Sequence, residues 1–549
     1  MVRSRTPLRS INPLCRVRNS PLLTHEFDIQ LGGGTGMSYQ VLSPIIILLA
    51  FAFAIIIVNM FVKSKRRYFA YMALTGMIIS LILVVDMAGL SFTSAMGLDL
   101  WDSPVNLTFP NLKLKVDAFS LFFYVVFLIA GILVTIGSIS YIEKEEKYRA
   151  EYFSLMLLAV VGMMLVASTT DLFVLYLAFE LTSISTYALA AFRKKDKASA
   201  EAGLKFFLMG AVSSAIALFG ISIVYGVTAF TPGGPTTDLS QISDALNFAL
   251  QGGIAHVQIP IILGSILLIA GFGFKIAIVP FHMWAPDVYQ GSPTTISAFL
   301  AAGTKKGGFA AFFQLFLVAL IAAKFQWGLL VGILAVITMV VGNVLAIVQT
   351  DLKRMLAYSS IAQAGYILIA ICVGTLAFDG DVDTAQLAVA GGLLHILIHV
   401  FMKSGAFLVV ALTATAKVGE NLNDYKGLYR RMPIVAFCMT ILLLSLAGIP
   451  PLGGFFSKFV LFSSAVNAGG WFVWLAVFGV LNSALSLYYY VRVIKYMYIL
   501  KGEDESRVKV PTALYVAVIL ATLGVILSGL LAEPLISFAK AAAGGLLGG

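Results

Sequence analysis

Charged residues are scarce in this sequence: only 12% of its 549 residues are Asp, Glu, Lys or Arg. A water-soluble protein of this size needs far more polar surface. Cysteine is scarce too, and Cys15, Cys372 and Cys438 lie too far apart to suggest a disulfide framework or a cluster site. The five histidines have no cysteine partners, and no glycine-rich phosphate loop follows a strand pattern. We therefore expect neither a metal centre nor a nucleotide site in this chain.

Hydrophobic residues make up 60% of the chain, and the mean hydropathy is +0.95. They gather in runs of about 20 residues, the length that a helix needs to cross a bilayer core. About 14 candidate spans follow one another along the chain. They lie near 42–62, 69–90, 117–140, 151–170, 172–192, 204–227, 259–279, 294–323, 327–349, 356–377, 386–415, 433–467, 471–497 and 511–532. The pattern predicts an all-α polytopic membrane protein.

Two of these spans contain helix-breaking residues. Pro280 cuts off the seventh span shortly after Lys275, and the segment 448–454, which contains Pro450 and Pro451, interrupts the twelfth. Because proline lacks a backbone donor, both helices are predicted to be broken inside the membrane zone. One broken helix in each half of a chain is typical of transporters built from inverted repeats.

Basic residues in the loops indicate the orientation. When the loops are assigned alternately to two sides, one side collects nearly all the basic clusters, whereas the other holds only Lys113, Lys115, Lys324 and Lys540. By the positive-inside rule the basic side is cytoplasmic. We therefore expect a multi-pass protein of the cell (cytoplasmic) membrane. The net charge of +10 then reflects membrane orientation, and nucleic acid is not an expected partner.

The first 36 residues contain no apolar run and are rich in arginine and serine. Such a start can indicate a transit peptide, a disordered tail, or a translation start placed too early. The last interpretation, with Met37 as the true first residue, is favoured because the helical core begins directly after Met37.

Ionisable side chains remain inside the spans after the loop charges are set aside. Each charge at the bilayer centre costs at least about 2.5–3.5 kcal/mol, so a set of this size needs an explanation. Its members are Asp86, Glu180, Glu201, Lys205, Lys275, Lys305, Lys306, His395, His399, Lys403 and Lys458.

The spacing of these residues suggests a proton relay. His395, His399 and Lys403 stand at i, i+4 and i+8, so they share one helix face about 12 Å long. Lys275 and Lys458 each lie beside a predicted break, where freed carbonyl groups and water could gather. A buried lysine loses much of its preference for the charged form, and a neighbouring carboxylate restores it. Separating such a pair would release a proton.

Structural roles are the alternative for each of these residues. A lone lysine in a membrane span is about as often a member of a structural ion pair as a proton carrier. Glu201 and Lys205, at i and i+4 near a helix end, fit an interfacial ion pair better. Asp86 is expected to reach the outer surface, and the histidines could simply hydrogen-bond neighbouring helices. At the two breaks the functional interpretation is favoured, because a break and a lysine coincide twice.

Several motifs follow one another along the chain. They are the segments 151–164, 179–183, 187–189, 200–210, 274–284, 286–293, 359–366 and 446–455. In sequence and in order they resemble the antiporter-like N subunit of complex I, and the resemblance spans roughly residues 40 to 530.

The resemblance implies a fold and a set of functional residues. The fold has about 14 helices with two inverted five-helix repeats and broken seventh and twelfth helices. The proton-path residues of the family correspond to Glu180 in the fifth helix, Lys275 in the seventh, Lys305 in the eighth and Lys458 in the twelfth. The implied segments are 1–36 (tail or mis-assigned start), 37–150 (helices 1–3), 151–323 (first repeat), 324–500 (second repeat) and 501–549 (helix 14 and tail).

Two departures from the family pattern affect the prediction. Lys306 doubles the eighth-helix charge, so the residue that faces the channel could be Lys305 or Lys306. Lys403 is more typical of the sister antiporter-type subunits than of bacterial N subunits. This could mark a divergent, archaeal complex, in whose relatives reduced coenzyme F-420 is the donor and methanophenazine the acceptor.

The resemblance predicts a proton-translocating subunit that is driven by electron transfer from NADH or reduced coenzyme F-420 to a quinone or methanophenazine. The expected proton-path residues are Glu180, Lys275, Lys305, Lys306, His395, His399, Lys403 and Lys458, with Glu201 and Lys205 in support. Glu180 and Lys275 are expected to form an ion pair. Its separation lets Lys275 exchange protons with Lys305 or Lys306, and from there through the histidine face to Lys403 and Lys458. Flavin and iron–sulfur clusters are expected in partner subunits, and none in this chain. The expected partners are L- and M-type antiporter-like subunits, small K- and J-type subunits, a peripheral redox arm and lipid. The alternatives are a cation/proton antiporter subunit without redox partners and a purely structural membrane scaffold.

Overall fold

The structure is a computed structural model that describes residues 41–61, 67–89, 107–142, 148–253, 256–378, 380–502 and 506–547. The predicted all-α membrane fold is confirmed, because 12 helices in these ranges are long and apolar enough to cross a membrane. The prediction for residues 1–36 lies outside the described residues.

The helices follow the predicted spans closely. In chain order they are α1 (Ser43–Phe61), α2 (Tyr68–Met87), α3 (Ala118–Tyr141), α4 (Arg149–Ser168), α5 (Leu172–Ala190), α6 (Lys197–Thr228), α7 (Leu239–Phe248), α8 (Gln258–Ile276), α9 (Trp284–Gly291), α10 (Thr294–Phe299), α11 (Lys305–Gln314), α12 (Lys324–Ile347), α13 (Leu352–Leu376), α14 (Val382–Thr415), α15 (Leu428–Arg431), α16 (Pro433–Ala447), α17 (Gly453–Ala468), α18 (Phe472–Tyr498), α19 (Thr512–Leu530) and α20 (Ala532–Leu547).

Two predicted spans are built from shorter segments. The eighth consists of α10 and α11, which the π-helical turn Leu300–Thr304 joins, and a second π-helical turn, Leu315–Ala319, extends it. The twelfth consists of α16 and α17. The total number of spans and the inverted repeats stay predictions.

Both predicted helix breaks are present. Helix α8 ends at Ile276, after which Ala277 adopts a left-handed conformation with φ of 56°, and the short helix α9 follows. Helix α16 ends at Ala447 and is capped by Gly448 with φ of 91°, which glycine adopts without a steric penalty. A Cβ atom on Gly454, at the start of α17, would overlap with the carbonyl oxygen of Ser445. The second break therefore requires glycine at this close approach.

Some secondary structure lies outside the predicted spans. Strands β1 (Leu107–Phe109) and β2 (Leu114–Val116) form an antiparallel hairpin before α3, with Leu107 opposite Val116. Helix α20 packs against α3 and α14 near the end of the chain. Neither the hairpin nor α20 is predicted from the apolar pattern.

Helices α13 and α14 form the centre of the bundle. In an apolar 18-residue stretch of each of these two helices, 94% of the residues are buried, compared with 28% in α1 and 33% in α6 and α18. The peripheral helices expose large apolar side chains such as Phe53, Phe219 and Val480. In a membrane protein such side chains face lipid or other subunits. The polar residues of α14 are therefore held far from lipid.

Contacts between helix ends support the alternating arrangement of the loops. The hydroxyl group of Tyr141 lies 3.3 Å from that of Thr294, and the Arg193 guanidinium lies 4.7 Å from the ring centroid of Tyr141. The Lys353 ammonium group pairs with Glu420 at 2.9 Å. These five residues define what we call the basic end of the bundle. That this end faces the cytoplasm stays a prediction.

Candidate functional site

Seven of the predicted site residues are buried in the middle of the bundle. Each exposes 4% or less of its surface. They are Lys275 on α8, Lys305 and Lys306 on α11, His395, His399 and Lys403 on α14, and Lys458 on α17.

Lys275 lies in the last turn of α8, one residue before the break. Its Nζ atom donates to the hydroxyl groups of Ser183 at 3.1 Å and Thr186 at 3.3 Å, both on α5. The ring of Phe206, on α6, lies 5.2 Å from the same Nζ atom. Lys275 is thus held by neutral partners, although its side chain is fully buried.

The predicted ion pair between Glu180 and Lys275 is not formed. In the described part of the chain no contact within 4 Å joins the Glu180 carboxylate to the Lys275 ammonium group. Glu180 lies one turn before Ser183 on α5, beside the hydroxyl group of Ser214. Hydroxyl groups, and not the Glu180 carboxylate, therefore contact the Lys275 ammonium group.

Unpaired polar atoms surround the region between the first break and Lys305. Among the described residues, Lys305 Nζ, His282 Nδ1, the Tyr289 hydroxyl and the Ser292 hydroxyl are buried and have no hydrogen-bond partner. The Lys305 Nζ atom lies 5.6 Å from the ring centroid of Tyr289. A buried polar group without a partner costs about 1–3 kcal/mol, so each of these groups favours a bound water.

Lys306 connects the two halves of the chain. Its Nζ atom lies 2.6 Å from Nδ1 of His399, which is a short hydrogen-bond distance. Lys305 makes no such contact, so the two neighbouring lysines differ in their surroundings. Of the pair, Lys306 is the one that contacts the histidines of α14.

His395, one turn before His399 on α14, has a partner at each ring nitrogen. His395 Nε2 lies 2.9 Å from Gln363 Oε1, and the amide nitrogen of Gln363 donates to the Leu446 carbonyl at 3.2 Å. Because that carbonyl can only accept, the Gln363 oxygen faces His395, and His395 Nε2 must be the donor. The rings of His395 and His399 are 5.8 Å apart between centroids.

The hydroxyl group of Ser457 allows His395 to exist in two protonation states. It lies 3.0 Å from His395 Nδ1 and 3.1 Å from the Gly454 carbonyl. In neutral His395, the Ser457 hydroxyl donates to Nδ1. In protonated His395, Nδ1 donates to the hydroxyl oxygen, and the hydroxyl hydrogen turns to the carbonyl. Both forms are satisfied without movement of the helices, as a proton relay requires.

Lys403 lies on the same face of α14 but turns toward α13. Its Nζ atom donates to the Leu356 carbonyl at 3.0 Å and to the Ser359 hydroxyl at 2.7 Å, and Ser359 in turn contacts the Tyr490 hydroxyl. The shared helix face predicted from the spacing is thus present, but Lys403 belongs to a separate branch.

Lys458 lies beside the second helix break, as predicted. Its Nζ atom donates to the carbonyl groups of Leu446 and Ala447, at the broken end of α16, at 2.9 and 3.2 Å. The ring centroid of Tyr366 lies 4.8 Å away. A cavity of about 450 Å³ opens beside Lys458. The Leu446 carbonyl accepts from both Lys458 and Gln363, so it joins Lys458 to His395.

Glu201 and Lys205 lie apart from the buried residues. They form an ion pair of 2.8 Å between positions i and i+4, with both side chains exposed to a large extent. This geometry fits the interfacial pair that the sequence favours. Asp86, in contrast, is buried, so the expectation that it reaches the outer surface is wrong.

Several residues of the site were missed by the sequence analysis. They are Ser183, Thr186, Ser359, Gln363, Ser457 and Tyr490. A signal existed for two of them, because Ser359 and Gln363 are polar residues at i and i+4 within an apolar span and inside one of the matching motifs.

The family profile described as NADH:quinone oxidoreductase/Mrp antiporter, transmembrane, matches residues 168–486. The chain belongs to this family. The match includes helices α5 to α17 and all the predicted site residues from Glu180 to Lys458. The resemblance stated from the sequence motifs is thereby confirmed.

Relatives of this family member match nearly their full length. The chain is 42% identical to F(420)H(2) dehydrogenase subunit N of Methanosarcina mazei, over 91% of this chain and 98% of the relative. It is 40% identical to NADH-quinone oxidoreductase subunit N of Trichlorobacter lovleyi, over 92% and 97%. A chain of respiratory complex I from Thermus thermophilus has the same fold, with a TM-score of 0.70, 27% identity, and coverage of 90% and 98%.

Proposed function

We propose that the chain is a proton-translocating membrane subunit of a complex I-type oxidoreductase. It carries protons outward across the cell membrane, and electron transfer in partner subunits, from NADH or reduced coenzyme F-420 to a quinone or methanophenazine, drives the transport. The names of the relatives, both subunit N of a redox complex, support this assignment.

The observation that carries the proposal is the contact between Lys306 and His399. At 2.6 Å it joins a buried lysine of the first half to a buried histidine of the second half. A structural pair would combine opposite charges, whereas these two groups both carry a positive charge when protonated. Such a contact is stable when the two groups share one proton, and a shared proton can be transferred.

The proposed route begins at Lys275, which binds a proton while Glu180 is close and releases it when they separate. Water among the unpaired groups near Lys305 passes the proton to Lys306. From Lys306 it moves to His399 and, through a bridging water, to His395. Gln363 and the Leu446 carbonyl align His395 with Lys458 at the second break. Lys403, which lies on α14 and binds to α13, influences the electrostatic potential along the route.

The surroundings of the chain belong to the same proposal. We expect other membrane subunits of L, M, K and J type beside it, and a peripheral redox arm that holds the flavin and iron–sulfur clusters. The apolar exposed faces of α1, α6 and α18 offer the surface for lipid and for these neighbours. The chain itself acts without a redox cofactor.

A second candidate function is cation/proton exchange without a redox partner. It is favoured by the description of the matching family, which includes antiporters. The same buried lysines and histidines could then exchange a proton against a cation.

One experiment separates the two functions. The chain is purified by an affinity tag from its native membranes, and inverted vesicles from the same membranes are tested for proton uptake. We expect co-purification with redox subunits and proton uptake that starts with the electron donor and stops with an inhibitor of electron transfer. Sodium-dependent proton exchange by the chain without redox subunits would overturn the proposal and support the antiporter.

A further inference from the structure

A carboxylate at the basic end of the bundle bridges both halves of the chain. Asp287, on α9, pairs through Oδ2 with Lys205 Nζ at 2.9 Å and through Oδ1 with Arg354 Nη1 at 2.7 Å. Lys205 belongs to α6 and Arg354 to the first turn of α13. We call these three residues the carboxylate bridge.

On the first half, the bridge is connected to the surroundings of Lys275 through Phe206, whose ring lies 5.2 Å from Lys275 Nζ. Phe206, next to Lys205 in sequence, stacks on the indole ring of Trp284, with centroids 4.5 Å apart and an angle of 12°. The indole nitrogen of Trp284 donates to the Phe274 carbonyl at 2.7 Å. Phe274 precedes Lys275, so α9 and the last turn of α8 are connected by side-chain contacts. A shift of Asp287 would thus be passed to Lys275.

On the second half, the bridge is joined to the beginning of α13. Arg354 Nη1 also donates to Gln290 Oε1 at 3.0 Å, and the Gln290 amide nitrogen donates to Asp351 at 3.1 Å. Asp351 caps α13 by accepting from the backbone of Arg354 at 2.9 Å. Helix α9 is therefore attached twice to the end of α13.

Helix α13, to which the carboxylate bridge is joined, provides hydrogen-bond partners for the second half of the site. Helix α13 carries the Leu356 carbonyl and the Ser359 hydroxyl that bind Lys403, and it carries Gln363, which binds His395. One carboxylate thus connects the helix break at Lys275 with the helix that sets the positions of Lys403 and His395. Isolated ion pairs at a surface contribute little to stability, so a stabilising role alone does not account for this arrangement.

We propose that Asp287 is a positioning residue that couples the first half of the proton route to the second. When the charge at Lys275 changes, α9 moves with the end of α8, and the bridge passes the shift to α13. Without Asp287 the two halves change independently, and Lys205 and Arg354 are left as two neighbouring positive charges that repel each other. This inference rests on the proposed function.

The test compares Asp287→Asn, Asp287→Glu and wild type in the intact complex. Two quantities are measured: the protons taken up per electron pair in inverted vesicles, and hydrogen exchange of the backbone over residues 277–291. Coupling through such contacts typically changes equilibria by about two- to thirtyfold. For Asp287→Asn we expect an assembled complex that transfers electrons, at least about twofold faster exchange, and at least about a twofold lower proton yield. Asp287→Glu, which keeps the charge, should stay close to wild type.

Asp244→Asn is the matched control. It removes an exposed carboxylate from α7 that forms no ion pair within 4 Å with any of the described residues, and it should change neither quantity. Unchanged exchange in Asp287→Asn, faster exchange with an unchanged proton yield, or failure of this variant to assemble would each overturn the positioning role. If wild type transfers electrons without proton uptake, the proposed function fails, while the exchange data still decide whether Asp287 holds α9.

Discussion

Replacing Gln363 by leucine should slow proton transfer through the second half of the site. The substitution removes the acceptor of His395 Nε2, 2.9 Å away, and the donor to the Leu446 carbonyl. The Leu446 carbonyl still accepts from the ammonium group of Lys458 at 2.9 Å. The atom that is left without its hydrogen-bond partner is therefore His395 Nε2. An unpaired buried donor costs about 1–3 kcal/mol. Because each 1.36 kcal/mol is a factor of ten, the productive orientation of His395 becomes about five- to 150-fold rarer.

The assay is the initial rate of proton uptake in inverted vesicles, together with the amount of assembled complex. Gln363→Leu should assemble, since leucine is apolar and of similar size, and pump at least about fivefold more slowly. Gln363→Glu, which retains an acceptor for His395, should lose less. Gln251→Leu, the same exchange at an exposed position, is the control. If assembled Gln363→Leu pumps as fast as wild type, Gln363 does not align His395 for proton transfer, and this part of the route is wrong.

Three further substitutions test other parts of the site. Lys275→Ala should lower proton uptake while the complex assembles and transfers electrons, because the ammonium group in the last turn of α8, beside the first break, is lost. A wild-type ratio of protons to electrons would make this lysine structural. Gly454→Ala should reduce the stability of the purified chain by about 1–3 kcal/mol, seen as a lower melting temperature, because a Cβ atom there overlaps with a backbone carbonyl. In the control Gly226→Ala the added Cβ atom meets open space, so the melting temperature should not fall. Equal melting temperatures of the two variants would refute the close approach. Ser359→Ala should reduce the free energy of unfolding by about 1–3 kcal/mol, because it removes the hydroxyl partner of Lys403. Ser222→Ala, at an exposed position of α6, is the control, and an unchanged free energy of unfolding in Ser359→Ala would contradict the contact.

The course of the chain through the membrane could be predicted because it depends on local properties. An apolar run of sufficient length forms a helix in lipid whatever its neighbours are, so the ends of α1 and α14 fall within a few residues of the prediction. The breaks at Pro280 and Pro450 follow from the missing donor of proline. Buried charges are equally visible, because lysine in an apolar run is rare and costly.

The partners of these charges depend on how helices pack, and sequence spacing does not contain that information. Glu180 and Lys275 were expected to pair, yet Ser183 and Thr186 occupy the positions around the Lys275 ammonium group. Serine and threonine are common in membrane helices, where they also bond to their own backbone, so their presence alone does not indicate a site.

The bridging role of Asp287 was hidden for a similar reason. It lies in a matching motif, but its two partners come from helices that are about 70 to 80 residues away in sequence. The β-hairpin before α3 was missed because its strands have three residues each, too few for an alternating pattern.

The most direct test of a proton route across the two halves is the proton yield of Lys306→Gln. The variant removes the group that lies 2.6 Å from His399 and retains a side chain of similar length. Protons per electron pair are measured in inverted vesicles that contain the assembled complex, with the exposed Lys501→Gln as the control. We predict that Lys306→Gln loses most of the proton uptake attributable to this subunit, while Lys501→Gln keeps the wild-type ratio. A wild-type ratio in assembled Lys306→Gln would contradict the account, because protons would then cross this subunit, if at all, without the contact between Lys306 and His399.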